Sequence, residues 1–438
     1  MAEPVVVIES LCYGGAGFGR VEGKACFVPC TAPGDRARIR VVKEKRSFLE
    51  GELVELLEPS DLRVVPPCPV FGACGGCDWQ FLPYPEQLQQ KGTIFADTLA
   101  RIGKVPREKV LPVAAAPEPF GYRSRVQVKV SVVAGAVQMG FFRTGSHDVV
   151  DFGAGCPLAN PQLNRMAAEF RAILPGLPQF ELIHQIDLSI GDTGEGIAIV
   201  HSRGGAGGRL IEALARERSQ LPSVAGAFLR SGQKGDLAKV FGIEALSYRI
   251  PAGLIPGSKE LTLRFGRGGF SQVNYPQNLE LIRTACGWAG LTGKERVLDL
   301  YCGNGNISLP LALQAAEVLG IEGYAPSILD AAANAEANGI GNATFQVSDA
   351  AQAVRRLVKR KERFDLVVLD PPRGGAEAAA ELAALAPAKI IYVSCDPATL
   401  ARDLASLGSN GYQVTRSKPV DMFPQTYHLE SVTELVRA

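Results

Sequence analysis

The chain has 438 residues, 46% of them hydrophobic and 21% charged, the make-up of a globular protein with ample core and about three domains. Its 46 basic and 45 acidic residues leave a formal net charge of +1, so a nucleic-acid surface has to come from local patches. No basic region precedes an apolar run at the N-terminus, no apolar stretch nears the roughly 20 residues of a membrane span, and the ten cysteines are scattered but for one cluster. A signal peptide, a membrane partner and a disulfide framework are therefore not expected; a monomer in a reducing cytoplasm is.

Residues 1–62 read as all-β. Alternating segments at Val5–Ile8, Lys24–Val28, Arg36–Val42 and Gly51–Leu57, separated by Gly14-Gly15-Ala16-Gly17, Pro33-Gly34 and Gly51, predict a small five-stranded barrel of OB type. Arg36, Arg38 and Arg40 alternate and share one strand face. With Lys43, Lys45 and Arg46 they form either a phosphate-contacting stripe or a solvated strand face.

Residues 63–82 hold Cys68, Cys74 and Cys77 in a Pro/Gly-rich stretch, and Cys156 is a fourth, distant thiol. Such a set suits zinc or an iron–sulfur cluster equally, with unliganded loop cysteines as the remaining reading. Residues 83–119 are expected to be a helical segment packing on the C-terminal domain, since Leu88, Ile94, Phe95, Leu99 and Ile102 recur at near-helical spacing over Tyr84–Val105. Residues 120–265 look β-rich: Val126–Val133, Ala136–Phe142, Ile186–Gly191 and Gly196–Ser202 predict a meander. The glycine run 204–208 reads as a turn before the helix Leu210–Glu217. Arg123, Arg125, Lys129 and Arg143 either hold phosphates or cover a solvated sheet face.

Over 266–438 the pattern changes to alternating strands and Ala/Leu-rich helices, with strands at Arg296–Tyr301, Glu317–Glu322, Thr344–Val347, Phe364–Leu369 and Lys389–Ser394, and two more near Tyr412–Lys418 and Leu429–Val436. This is the signature of a doubly wound α/β sheet. The first of these strands runs into Cys302-Gly303-Asn304-Gly305-Asn306, a glycine turn that lets a ligand approach the backbone. Glu322 ends the second strand, Ser348-Asp349 follow the third and Asp370-Pro371-Pro372-Arg373 the fourth. Ligands bind at such strand ends. A nicotinamide site would carry a third glycine where Ser308 stands, which favours S-adenosylmethionine.

Cys395 lies between the strand Lys389–Ser394 and a helix beginning at Asp396-Pro397. A thiol at that turn is expected to be favoured as thiolate by the helix dipole, and thiolates attack electrophilic carbons. Cys302 is a competing thiol, read as packing beneath the glycine loop.

Phe270-Ser271-Gln272-Val273-Asn274, Asp299-Leu300-Tyr301-Cys302-Gly303-Asn304-Gly305-Asn306, Asp370-Pro371-Pro372-Arg373-Gly374-Gly375, the run from Ser394-Cys395-Asp396-Pro397 to Asp403, and His428-Leu429-Glu430-Ser431 resemble the RNA (uracil-5-)-methyltransferases, and most the bacterial branch acting on 23S rRNA. Residues 1–62 resemble the TRAM domain, an RNA-binding module. The resemblance implies Cys395 as the nucleophile that adds to uracil C6 and Glu430 as the base. It implies cofactor contacts from Gln272, Tyr301, Asn306, Glu322, Asp349 and Asp370, with Tyr301 in place of a frequent Phe. It also implies a [4Fe–4S] cluster on Cys68, Cys74, Cys77 and Cys156, zinc being the alternative, and ribosomal RNA as partner. Transfer RNA is the rival acceptor, and a non-catalytic metal-containing RNA-binding protein is the rival of another class.

Overall fold

The computed structural model describes residues 3–204, 207–232, 235–266, 268–269 and 271–438. Gly205 and Ala206 of the glycine run and Phe270 of the motif before Gln272 lie outside them.

Strands β1 (Val5–Leu11), β2 (Gly17–Val21), β3 (Lys24–Val28), β4 (Arg36–Glu44) and β5 (Phe48–Glu58) close into a barrel in the order β1-β2-β3-β5-β4. Alternation sends Val6, Ile8, Cys26, Val28, Ile39 and Leu49 inward. Two of the expected separator glycines work differently. Gly17 opens β2, where a Cβ would stand 2.2 Å from Thr31 Oγ1, and Gly51 lies inside β5, where a Cβ would stand 2.7 Å from Ile39 Cδ1. Both permit close packing inside the small barrel. The basic stripe is charge-paired across β4 and β5: Arg36 to Glu58 at 2.7 Å, Arg38 to Glu55 at 2.9 Å, Arg40 to Glu52 at 3.4 Å and Lys43 to Glu50 at 2.6 Å. It is a balanced, solvated strand face, not a row of free phosphate contacts.

Helix α1 (Tyr84–Arg101) packs on the C-terminal domain, where Phe95 and Leu99 join Leu400 and Ala401 in one core. The rest of the segment to residue 119 is not helical apart from a single 3₁₀ turn at Arg107–Lys109. Pro106, Pro112, Pro117 and Pro119 remove the donors a helix needs, and the chain instead bridges onto a later strand at Val110–Ser417 and Ala114–Val420.

Next come β6 (Arg125–Val133), β7 (Ala136–Phe142), β8 (Val149–Asp151), α2 (Pro161–Ile173), β9 (Ile183–Ile190), β10 (Gly196–Ser202), α3 (Gly207–Arg216), β11 (Gly226–Ser231) and β12 (Leu237–Gly242). They build a seven-stranded sheet in the order β12-β11-β10-β9-β6-β7-β8. It is more than the expected meander. α2 intervenes between β8 and β9, and α3 crosses over so that β10 and β11 pair in parallel. The α2 signal was present in the sequence: Leu163, Met166, Ala167 and Phe170 are spaced to share one helix face and are all buried. Asn160 caps its start by accepting the Gln162 amide at 2.9 Å.

A hairpin of β13 (Ala245–Ile250) and β14 (Leu261–Gly266) and helix α4 (Tyr275–Ala289) lead into the C-terminal domain. There β15 (Arg296–Leu300), α5 (Ser308–Ala312), β16 (Glu317–Glu322), α6 (Ala325–Ala337), β17 (Ala343–Val347), α7 (Ala350–Lys359), β18 (Leu366–Leu369), α8 (Ala379–Leu382), β19 (Lys389–Ser394), α9 (Pro397–Ser409), β20 (Tyr412–Val420) and β21 (Glu430–Arg437) follow. The sheet order is β17-β16-β15-β18-β19-β21-β20, parallel except that β21 runs against both neighbours. Apolar cores lie on both faces, as a doubly wound sheet requires. No described helix is long and apolar enough to cross a membrane.

One buried cation ties these parts together. Lys91, in α1, donates to Asp421 Oδ1 at 2.6 Å, to the Phe423 carbonyl at 3.0 Å and to the His428 carbonyl at 2.9 Å. All three acceptors lie in the loop between β20 and β21. Gln87 exchanges hydrogen bonds with Gln425 of the same loop at 2.9 and 3.0 Å. Replacing Lys91 by Met should strand the buried Asp421 carboxylate and cost about 3–5 kcal/mol. Equilibrium urea denaturation measures it, and a loss under about 1 kcal/mol would refute the anchoring role.

Candidate active site

The C-terminal edge of the sheet gathers the glycine loop and the strand-end acids. Tyr301 takes a left-handed φ of 64°, and Gly303 and Gly305 follow at 55° and 90°, which turns the chain sharply off β15. The Gly303 amide donates to Glu322 Oε2 at 3.3 Å, so the acid ending β16 lies against the loop. Asn306 is held from two sides: it exchanges amide hydrogen bonds with Asn278 at 3.0 and 2.8 Å and accepts the Tyr248 hydroxyl at 2.8 Å. Gln272 and Asn278 line one cavity of about 360 Å³ with Tyr248. Tyr301 lies within the field of Asp349 and Glu322. Asp349 caps α7, accepting the Gln352 amide at 2.9 Å. The tertiary fold therefore brings the predicted cofactor residues to one edge. Cys302 is buried under the loop, where a Cβ on Gly320 would meet its sulfur at 2.9 Å. That matches the packing reading.

Beneath the loop, Asp299 is buried and accepts the Ser308 hydroxyl. Burial first, then Asp370 and Glu322, raise it to about 7. Asp370, at the end of β18, is also raised by burial.

Cys395 and Glu430 come together through strand register. β19 pairs with β21 from Lys389↔Val436 to Ser394↔Ser431, and the next position sets Cys395 opposite Glu430. Glu430 is 4% exposed, and its Oε2 has no hydrogen-bond partner. Its carboxyl is held well above the ordinary range by burial and by Asp370, with Arg373 opposing. The expected thiolate is not favoured in this state. Cys395 is pushed up to about 12 by burial, Glu430 and Asp370, against Arg373. The helix dipole does not rescue it, because Asp396 takes the first α9 amides, from Ala398 at 2.9 Å and Thr399 at 2.8 Å, on its own carboxylate.

Two neighbours, Tyr13 and Tyr427, gave no usable signal in the sequence. Tyr13, from the barrel, donates to Asp396 Oδ2 at 2.7 Å and meets the Tyr427 ring edge-on at 5.5 Å. Tyr427 in turn lies 4.1 Å from the His428 ring. His428 is lowered to about 4 by burial, Arg373 and Lys91, so it is neutral.

Cys68, Cys74, Cys77 and Cys156 line one cavity of about 610 Å³. None forms a disulfide, and burial raises Cys77 to about 12. Arg123 is half-buried with its Nε enclosed and unpartnered, and its charge faces Cys77 and Cys156. Among the described residues no three His, Cys, Asp or Glu side chains stand gathered as ligands of one ion. The donor chemistry nonetheless suits a thiolate-held group: four soft ligands around one cavity, with the Arg123 cation beside them to balance their charge.

A parallel sheet in this order, with one reversed strand and a glycine loop and acids at its C-terminal edge, defines a methyltransferase fold; a thiol facing a buried carboxylate completes it. The tRNA (Uracil-5-)-methyltransferase family model matches residues 250–438, and that of the TRAM domain matches residues 5–54. An RNA methyltransferase of Thermosynechococcus vestitus is 38% identical over 98% of this chain and 96% of its own. The 23S rRNA (uracil(1939)-C(5))-methyltransferase of Pseudomonas aeruginosa is 35% identical over 98% and 92%. The Pyrococcus abyssi tRNA (uracil-54, C5)-methyltransferase, solved with S-adenosyl-L-homocysteine, superposes with a TM-score of 0.75 at 24% identity, covering 98% of this chain and 100% of that one; this likeness shows the fold. The chain belongs to the S-adenosylmethionine-dependent RNA (uracil-5-)-methyltransferases and carries a TRAM domain.

The buried acids set a pH dependence. A carboxyl raised on folding contributes stability that is present below its unfolded pKa and is lost as pH rises through the folded one. Asp299 should therefore withdraw thermal stability from the ligand-free chain between about pH 4 and about pH 7, against the opposite contribution of His428, lowered to about 4. Asp299→Asn should flatten part of that slope. Melting temperatures across pH test this, and an unchanged slope in Asp299→Asn would refute it.

Proposed function

We propose that the chain transfers the methyl group of S-adenosylmethionine to C5 of a uridine in 23S ribosomal RNA, through a covalent bond from Cys395. The placement of Cys395 opposite the buried Glu430, at the edge that carries the glycine loop, supports this most. S-Adenosylmethionine supplies an electrophilic methyl on a sulfonium. Gln272, Tyr301, Asn306, Glu322, Asp349 and Asp370 would hold it, with Asn306 kept in place by Asn278 and Tyr248.

Uracil C5 is a poor nucleophile. Cys395 sulfur, its proton passed to solvent, adds to C6 and pushes the ring electrons toward C5, which takes the methyl as the sulfonium–methyl bond breaks and S-adenosylhomocysteine leaves. Glu430 then removes the C5 proton, the C5–C6 double bond re-forms and the thiolate leaves. A carboxyl raised above its ordinary range by burial suits that proton transfer. The target base has to leave its stack to reach both groups.

The ribosomal acceptor rests on the names of the relatives, which include 23S rRNA enzymes at 34–35% identity, and on the barrel and cysteine set. We assign residues 1–62 to the RNA-binding barrel, 63–82 with 120–265 to a central domain, 83–119 to the segment docked on the catalytic domain, and 266–438 to the catalytic domain. Cys68, Cys74, Cys77 and Cys156 would hold a [4Fe–4S] cluster that pins the central domain, with Arg123 balancing its charge.

RNA containing 5-fluorouridine tests the chemistry, because the C5 fluorine cannot be removed as a proton. The wild type should form a denaturant-stable RNA adduct and Cys395→Ala none; an undiminished adduct in Cys395→Ala would refute the nucleophile. Mapping 5-methyluridine in cells with and without the chain tests the acceptor, and loss confined to transfer RNA would replace the ribosomal assignment. An anaerobic preparation without iron or acid-labile sulfide would overturn the cluster.

A further inference from the structure

The turn between β1 and β2 reaches out of the barrel and is seated on the rest of the chain. The Cys12 amide donates to the Ala16 carbonyl at 3.0 Å and the Gly15 amide to the Cys12 carbonyl at 3.1 Å, which closes the turn. The Trp79 indole N–H donates to the Gly15 carbonyl at 2.9 Å. Gly15 takes a left-handed φ of 89°, and a Cβ there would stand 3.1 Å from the side chains of both Asp78 and Tyr427. The close fit on one side leaves Tyr13 to meet the catalytic domain on the other.

Tyr13 is half-buried, and its hydroxyl donates to Asp396 Oδ2 at 2.7 Å. Asp396 Oδ1 is taken by the Ala398 and Thr399 amides and by the Thr399 hydroxyl at 3.2 Å. Among the described residues Tyr13 alone donates to Oδ2. The carboxylate so divided caps α9 and follows the sulfur in sequence, so its position sets the turn that carries Cys395.

The charge of Asp396 also bears on the sulfur. After burial, Glu430 and Asp370 raise the Cys395 thiol most, Arg373 lowers it and Asp396 raises it again. Tyr13 keeps its proton. Burial, the hydrogen bond to Asp396 and the charge of Asp396 hold its hydroxyl well above the ordinary range, Tyr427 adds to them and Arg373 opposes. A hydroxyl that stays protonated on a carboxylate covers part of the charge the carboxylate presents to its neighbours.

We infer that Tyr13 is a positioning residue for the methyl transfer: through its hydrogen bond to Asp396, the barrel fixes the Cys395 turn and weakens the negative field at the sulfur. The inference rests on Cys395 as the nucleophile and names what else sets its reactivity. A catalytic domain without the barrel lacks the hydroxyl that answers Asp396.

The test is a double-mutant cycle on the full-length chain with Tyr13→Phe, Asp396→Asn and both. Tyr13→Phe keeps the ring against Tyr427, and Asp396→Asn keeps a good helix cap. Alkylation of Cys395 by iodoacetamide is read by mass spectrometry of its peptide. Below a thiol pKa of about 12 the rate follows the thiolate fraction. Tyr13→Phe should slow it roughly threefold, the size expected when part of a charge a few ångströms away is uncovered. In the Asp396→Asn background the same change should have no effect, because no carboxylate is left to uncover. Asp396→Asn alone, which leaves Tyr13 in place, should alkylate faster than the wild type. The rate of adduct formation with saturating RNA containing 5-fluorouridine should fall in Tyr13→Phe, with the RNA concentration for half-maximal rate unchanged. Unchanged S-adenosylmethionine affinity reports that the variants are folded.

An unchanged Cys395 rate in Tyr13→Phe overturns the inference, as does an equal loss in both backgrounds. A defect confined to the RNA concentration required overturns it too, since Tyr13 then serves RNA binding. A rate in Asp396→Asn no faster than the wild type removes the charge argument whatever Tyr13→Phe does. Alkylation needs neither RNA nor cofactor. Absence of a wild-type adduct therefore sinks the proposed function, while the alkylation cycle decides the role of Tyr13.

Discussion

Everything near the site depends on a buried ammonium and the loop it grips. The segment between β20 and β21 carries Tyr427 and His428 and delivers Glu430, yet it has no regular structure. Lys91 replaces that missing regularity with three hydrogen bonds to residues 421, 423 and 428. The segment is also bonded by the cysteine-bearing region, through the Asp78 and Trp79 amides on the Gln425 carbonyl at 3.0 and 3.1 Å, and by α4, through Gln277 on the Asp421 carbonyl at 3.0 Å. Three parts of the chain thus converge on one loop. An irregular backbone buried among them is tolerable only because its polar groups are answered this way.

The same enclosure creates an electrostatic conflict. Asp299 and Glu430 are buried acids that both feel half-buried Asp370, and the thiol of Cys395 shares the field of Glu430 and Asp370. Arg373 opposes the shift without cancelling it, and each group is driven toward its neutral form. Such a cluster costs stability, and local rules are broken in this way mostly at functional sites. In the proposed reaction a sulfonium beside these acids reverses the balance. The reactive thiolate is then a property of the assembled complex, not of the turn that carries the thiol.

The barrel shows how a local reading misplaces an interface. The arginine stripe on β4 has the right residues and the right alternation, but β5 presents glutamates at matching positions. Which strand lies beside which is not written locally. The same holds for Gly17 and Gly51, where a missing side chain serves packing across the barrel, and for residues 102–119, where prolines overrode an apolar spacing that extended past Arg101.

Local pattern was enough to place the strands of the C-terminal sheet, the glycine loop, the strand-end acids and the turn bearing Cys395, because alternation, turn chemistry and strand-to-helix order are short-range properties. The helix α2 is equally legible, since Leu163, Met166, Ala167 and Phe170 share one helix face. Tertiary structure alone decided that Cys395 faces Glu430 across 35 residues of sequence, through a register set by seven paired strands. It also set the thiol against three acids, lent Tyr13 to the site from the far end of the chain, and buried Lys91 under a loop 330 residues away. Charge, burial and hydrogen bonding at a site depend on what long-range packing brings within a few ångströms, and no local pattern encodes that.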